Sequence, residues 1–453
     1  MDAAFDPVGE YRSKTKKTAE WFARAKEHLP GGVTGNVKFY HPYPVFAKKA
    51  KGSHLWDLDG NEYIDYMLCF GPMILGHGHP RVMKAVREQL DRDGTTIFGP
   101  PHEFESLMAE RLNRIFPCAE RVRYTNSGLE ATLHALRVCR GFKGRNRVAK
   151  FEGHYHGCYD EALVSLTPSE ETAGPYTSPQ PVACSLGTSE YTLQSTQVLP
   201  FNDAEDTVRL LREHKNDLAA VIMEPVQRGF IKSEPEFLKA VRETTEELEI
   251  ILIFDEVMSG FRMDRLGGAQ TMYGVTPDLM CLGKIIGGGF PAGAFLGRED
   301  IMDVVNPLTR DKNNRVFHGG TFNGHPTALA AGMATIDVLE EPETYPYLNR
   351  ITAKLENGLN DLFDRMGFDA IAYGPGSTFN IIFAKEVEVP RSYRDCMHFD
   401  AKLRMQFDYG LLARGIHFHP DKPWYTCTEH TDEDVERTLV ASEEVLRKMK
   451  SSL

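Results

Sequence analysis

The chain has 453 residues, 42% of them hydrophobic and 26% charged, the balance of an ordinary globular protein; its length predicts two or three domains. A net charge of −12 with no offsetting basic stripe argues against a nucleic-acid partner. Eight cysteines without a CxxC pair read as free thiols in a reducing compartment, the start MDAAFDPVGEYRSK lacks a signal-peptide core, and no run reaches membrane-span length, so the expectation is a cytoplasmic protein without membrane partner or metal.

Residues 8–28 set Tyr11, Ala19, Trp21, Phe22 and Ala25 among charges and predict one amphipathic helix, stopped by Pro30-Gly31-Gly32. Its basic run 12–17 reads as a solvated face. An extended arm follows over 33–43, then two strands within 54–66 joined at Asp59-Gly60, and a helix over 80–89 opened by Pro80. These opening residues predict a small antiparallel sheet beside a main domain.

From about Phe104 helices and strands alternate, as in a mostly parallel sheet covered on both faces. A helix over 103–115 leads to a strand over 121–124, then to Ser127-Gly128-Leu129 at a helix start. Backbone amides and a hydroxyl at that positive terminus suit a phosphate, although Ser127 is equally readable as a plain cap. A strand over 147–151 precedes Glu152-Gly153-His154-Tyr155-His156-Gly157, whose rings can lie over a planar ligand. The two histidines lack a third ligand at metal spacing. Residues 165–196, rich in Ser, Thr, Pro and Gly, predict a long surface or active-site loop.

A strand over 219–223 ends in Glu224, a helix over 236–249 completes a β-α-β unit, and the apolar run 250–254 ends in Asp255 and Glu256. A second short run, 278–282, delivers Lys284 ahead of Ile285-Ile286 and three glycines. Apolar surroundings lower an amine's pKa and make it nucleophilic. Taken singly, Asp255 could be a cap and Lys284 a solvated loop residue. Together, a strand-end carboxylate and such a lysine are the pair that a pyridoxal phosphate enzyme needs. Beyond them, Gly319-Gly320-Thr321 forms another glycine-hydroxyl cluster able to approach a phosphate, and a small-residue helix covers 326–339. The expected division is 1–75 (helix, arm and small sheet), 76–339 (large domain) and 340–453 (small C-terminal domain).

The motifs SGLEAT (127–132), EGHYHG (152–157), EP (224–225), FDEVMSGFR (254–262), LGKIIGGGFPAGA (282–294) and GGTFNGHP (319–326) together resemble the class III aminotransferases. The opening LPGGV (29–33), LWDLDGNEYIDY (55–66) and GPMILGHGHP (71–80) extend the resemblance to nearly the whole chain. Within the family it is most similar to the branch of glutamate-1-semialdehyde 2,1-aminomutase and the β-amino-acid aminotransferases.

The resemblance implies fold type I: an α/β large domain with a mostly parallel, seven-stranded sheet between helices, plus a smaller α+β domain from the N- and C-terminal segments. It implies pyridoxal 5'-phosphate as cofactor, with Lys284 as Schiff-base lysine and proton carrier and Asp255 on the ring nitrogen. Tyr155 and Val257 then cover the two ring faces, with His156 and Glu224 nearby. Ser127, Gly128 and Leu129 hold the phosphate, Leu129 by its backbone alone, and Thr321 reaches the neighbouring subunit's cofactor in a homodimer. The implied activity is ping-pong transfer of an amino group from an amine or amino acid to a keto acid, ketone or aldehyde. An intramolecular aminomutase, a racemase and a non-catalytic cofactor-binding protein are the alternatives.

Aminomutases carry Ser and Arg in the arm after LPGGV, where this chain has Gly35 and Lys38, and a Q-F-E pattern where it has Asp421-Lys422-Pro423. The β-amino-acid aminotransferases place an arginine where Gly35 stands. Lys38, Arg228 and Lys422 are therefore the candidates for a substrate carboxylate.

Overall fold

The computed structural model describes residues 5–263, 265–385 and 388–452; the outermost residues of the expected terminal domains lie outside it. Contacts divide the chain into two compact units. One takes the sequence up to Pro80, Glu343–Val389 and the sequence from Phe399 onward; the other takes Arg81–Pro342 together with Pro390–His398.

The larger unit is organised by seven strands: β1 (Arg121–Thr125), β2 (Arg147–Phe151), β3 (Thr196–Leu199), β4 (Leu218–Met223), β5 (Ile251–Asp255), β6 (Leu279–Leu282) and β7 (Gly293–Gly297). Their order is β1-β7-β6-β5-β4-β2-β3; β7 runs antiparallel to both neighbours and every other pair is parallel. Strands β4 and β5 are buried at every residue, which is why they read as unbroken apolar runs. The mostly parallel α/β sheet is as the sequence predicts.

Two strands escape a reading by pattern. β3 follows directly on the polar stretch 165–196, and β7 begins and ends in glycine, which weakens a strand signal. The stretch 165–196 also contains the short helices Glu170–Ala173 and Glu190–Gln194.

Helix α1 (Gly128–Lys143) buries Ala131, Ala135, Leu136 and Val138 in one core with Ile222 and Ile253 of the sheet. Helix α2 (Pro326–Leu339) is rich in alanine for a physical reason: the turn Lys284–Gly287 lies directly on it. A Cβ on Gly332 would come within 1.9 Å of the Ile286 carbonyl oxygen.

In the smaller unit the single helix expected over 8–28 is two helices, Pro7–Lys14 and Lys16–Lys26. Thr15 leaves helical geometry (φ −124°), and its Oγ1 donates to the Tyr11 carbonyl at 2.8 Å, a local competitor that hydrophobic periodicity cannot register. The arm over 33–43 contains a 3₁₀ turn, Asn36–Lys38. The first sheet is not closed by the opening residues alone. Ala47–Lys51, His54–Asp57 and Glu62–Asp65 pair antiparallel, and Ile416–His417 joins parallel with Ile416 opposite Ile64. A second sheet, Ala370–Tyr373, Thr378–Phe383 and Trp424–Tyr425, shares a core with helices Thr344–Met366 and Asp432–Lys450 around Leu355, Phe363, Phe379 and Val445. No helix among the described residues is long and apolar enough to cross a membrane.

Candidate active site

Neighbouring parallel strands end side by side, and their last residues and first turns assemble the site. β5 delivers Asp255, β4 delivers Glu224, and the turn after β6 delivers Lys284. The carboxyl edge of such a sheet is where ligands bind.

Asp255 is buried. Its Oδ2 takes a 2.7 Å hydrogen bond from His156 Nδ1, and its Oδ1 takes the Val257 amide at 3.0 Å. Burial lowers the His156 pKa even though Asp255 raises it, so the imidazole is neutral and its one N–H points at the acid. His156 Nε2 is buried and has no hydrogen-bond partner among the described residues. Glu224 accepts the Tyr155 amide at 2.8 Å, and burial together with the charge of Asp255 pushes its carboxyl up to about 8. Near neutrality Glu224 therefore holds its proton.

Lys284 has a left-handed backbone (φ 51°), uncommon for a non-glycine residue, maintained by the close seat of its turn on α2. Its amine makes no hydrogen bond or ion pair among the described residues. Desolvation lowers its pKa, while Asp255 and Glu224 pull the other way.

Around these groups the packing is tight. A Cβ on Gly128 would come within 2.6 Å of both Val257 methyls, and one on Gly283 within 3.1 Å of the Gly128 backbone nitrogen. These two glycines bring the Lys284 turn against the start of α1. There Ser127 is the cap, its Oγ accepting the Glu130 amide at 3.2 Å, which leaves the Gly128 and Leu129 amides for a ligand at the positive end of the helix. Leu129 packs on Gly157, where a Cβ would approach its Cγ to 2.9 Å, so its side chain is occupied. Tyr155 is 45% exposed, an open ring beside buried acids. Thr321 is exposed in the 318–326 segment, which is tied to the turn before α1 by Asn126 Nδ2 donating to Asn323 Oδ1 at 3.0 Å.

A helix terminus with amides to spare, an open aromatic ring, a buried acid and an unpaired amine fit a planar, phosphate-bearing aldehyde such as pyridoxal 5'-phosphate.

The remaining candidates fare differently. His154 is buried and accepts the Glu224 amide at its Nδ1 (2.9 Å), so it anchors the loop and cannot lie over a ligand. Arg228 is drawn away from the substrate role: its Nε donates to the Gly153 carbonyl (3.0 Å), its Nη2 to the Leu166 carbonyl (2.8 Å), and its guanidinium rests on the Tyr393 ring. Lys38 and Lys422 belong to the smaller unit. Lys38 Nζ donates to Thr34 Oγ1, and Lys422 Nζ lies 3.8 Å from an Asp421 oxygen. Sequence reasoning missed Arg394, which pairs with the buried Glu152 from 242 positions away; no local pattern could have signalled it.

The model of the aminotransferase class-III family matches residues 37–394. A glutamate-1-semialdehyde 2,1-aminomutase of Methanothermobacter thermautotrophicus is 43% identical over 440 residues, covering 96% of this chain and all of the relative. Among solved structures, an omega-transaminase from Sphaerobacter thermophilus is 35% identical with a TM-score of 0.91, covering 97% of this chain and 99% of that one. A beta-phenylalanine aminotransferase from Variovorax paradoxus is 30% identical with a TM-score of 0.87, covering 98% and 97%. Similarity of this extent, over nearly the whole length and on the fold type I architecture, makes the chain a member of the class III aminotransferases, an enzyme whose cofactor is pyridoxal 5'-phosphate.

Proposed function

We propose that the protein is an aminotransferase working in two half-reactions. An amine or amino acid leaves its nitrogen on the loaded enzyme, and a keto acid, ketone or aldehyde then carries it away. The observation that supports this reading is the Lys284 amine, lowered in pKa by desolvation and delivered to the same sheet edge as Asp255. When bound, pyridoxal 5'-phosphate supplies the electron sink for the carbon that loses its proton. Lys284 holds it and is the base that takes and returns that proton. Asp255, oriented by His156 and the Val257 amide, faces the positive ring nitrogen. Tyr155 covers one ring face and Val257 the other. Ser127 with the Gly128 and Leu129 amides holds the phosphate, and Thr321 comes from the neighbouring subunit of a homodimer.

Transfer between two molecules is supported by Gly35, Lys38 and Asp421-Lys422-Pro423, which stand where aminomutases carry a different set. Rearrangement within one molecule is the second reading, favoured by the 43% identity to an aminomutase. Absorbance of the loaded enzyme separates them. Bleaching of the cofactor band by alanine, glutamate, a β-amino acid or an arylalkylamine, with recovery on adding pyruvate or 2-oxoglutarate, is the expected result. A band unmoved by every donor, in an enzyme that isomerises an amino aldehyde without an acceptor, would overturn it.

A further inference from the structure

The segment Pro390–His398 belongs to the larger unit, although the sequence on either side of it belongs to the smaller one. Its anchor is Arg394. The guanidinium grips Glu152 with two bonds, Nε to Oε2 at 2.6 Å and Nη2 to Oε1 at 3.0 Å, and spends Nη1 on the Gly174 carbonyl at 2.8 Å. Glu152 is 2% exposed and Arg394 is partly buried, so this is a bidentate pair on a buried acid. The neighbouring Tyr393 lies against Gly153 so closely that a Cβ there would come within 2.3 Å of the Tyr393 Cβ. Its ring in turn carries the Arg228 guanidinium, 4.7 Å from the ring centre.

Glu152 and Gly153 open the loop that ends in Tyr155, and each polar group of this opening is held from outside the loop. Gln227 Nε2 donates to the Glu152 carbonyl at 2.7 Å, Arg228 Nε donates to the Gly153 carbonyl, and the Gly153 amide donates to the Ser165 carbonyl at 2.9 Å. The Glu152 amide donates to the Leu199 carbonyl at 3.0 Å, and the Glu152 side chain is a further tether, held by Arg394. Gly153 itself takes a left-handed φ of 79°, a bend that turns the chain toward Tyr155.

We propose that Arg394 is a positioning residue for the cofactor: through Glu152 it sets the height and tilt of the Tyr155 ring. This rests on the reading that Tyr155 covers the cofactor ring. A buried acid released from the cation that pairs with it must move toward water, and that movement lets the Gly153 bend relax.

The test uses full-length Arg394→Ala and Arg394→Lys, with Arg391→Ala as control. Arg391 fastens the same segment to Glu234 through a more exposed pair, away from the loop opening. Binding of pyridoxal 5'-phosphate is titrated by fluorescence, and the circular dichroism induced in the cofactor band is recorded, so neither readout depends on turnover. Arg394→Ala is expected to weaken binding by about tenfold or more, the scale for residues that orient a ligand-bearing group, and to shrink the induced signal. Arg394→Lys should recover part of both, and Arg391→Ala should leave both unchanged. Wild-type affinity and dichroism in Arg394→Ala, with only a lowered melting temperature, would reduce Arg394 to a structural strut. Should Arg394→Ala fail to fold, Arg394→Lys decides alone: intermediate affinity sustains the proposal and wild-type affinity overturns it. Loss of cofactor binding in an enzyme that proves not to transaminate would sustain the positioning role while removing the reaction assigned to the site.

Discussion

Asp255 Oδ2 and His156 Nδ1 stand 2.7 Å apart, both buried, and the imidazole is the neutral partner. One carboxyl oxygen of Asp255 is steered by the ring and the other by the Val257 amide. Asp255→Asn removes the charge and keeps the shape. Its kcat is expected to fall by about 10²–10⁴-fold, the range for loss of a group that stabilises developing charge or moves a proton. His156→Phe leaves the charge and removes only the steering, so a smaller loss is expected. Steady-state kinetics on both variants checks the order; equal losses would make His156 more than a guide.

Lys284→Ala is expected to reduce turnover by at least about 10²–10⁴-fold. Because the native amine is already shifted toward its neutral form, a small primary amine added to the buffer should restore some rate, with rescue growing as pH rises through that amine's own pKa. Near-wild-type turnover without added amine would remove Lys284 from the reaction.

Glu224 makes a prediction about stability and pH. Its carboxyl is raised to about 8 in the folded chain against an ordinary value of 4.5. Between those limits the folded protein holds a proton that the unfolded chain has released, so the associated stability is full below pH 4.5 and is lost as pH rises to about 8. Glu224→Gln has no proton to lose. The difference in melting temperature, variant minus wild type, should therefore shift in the variant's favour between about pH 5 and 8.5. Comparing the two proteins cancels the opposite dependence of the buried histidines His154 and His156, whose pKa values are lowered by burial. A pH-independent difference would mean that Glu224 is already ionised.

Gly332→Ala tests the seat of the lysine turn. The added methyl would fall 1.9 Å from a backbone oxygen, which cannot rotate away as a side chain can. Overpacking of this kind costs about 1–3 kcal/mol, and in a protein of this size lowers the melting temperature by about 1–3 °C. Lys284 should lose cofactor affinity in the same variant. An unchanged melting curve would show that α2 and the turn are not pressed together.

Much of this site is legible in the sequence because its parts occupy positions that chain chemistry marks. An apolar run that stops at an acid gives β5 and Asp255; a strand, a small-residue turn and a helix give Ser127 and Gly128; a lysine before glycines gives Lys284. What escapes lies where the reason for a residue is another residue far away. Arg394 looks like a surface arginine until Glu152 is brought to it, and Arg228 looks available until the carbonyls of Gly153 and Leu166 claim it. β7 escapes because a strand flanked by glycine draws its identity from its neighbours, and the break at Thr15 because one hydroxyl outweighs a continuous amphipathic pattern.

The seating of the Lys284 turn on α2 also bears on how this enzyme can diversify. A Cβ on Gly332 would meet the Ile286 carbonyl oxygen at 1.9 Å and one on Gly288 the Ala331 backbone at 2.5 Å, so neither glycine admits a side chain without moving the turn. Changes sought along that face would act on the placing of the lysine before they acted on anything it meets, which leaves the loops and strand ends as the places that can vary without tilting it.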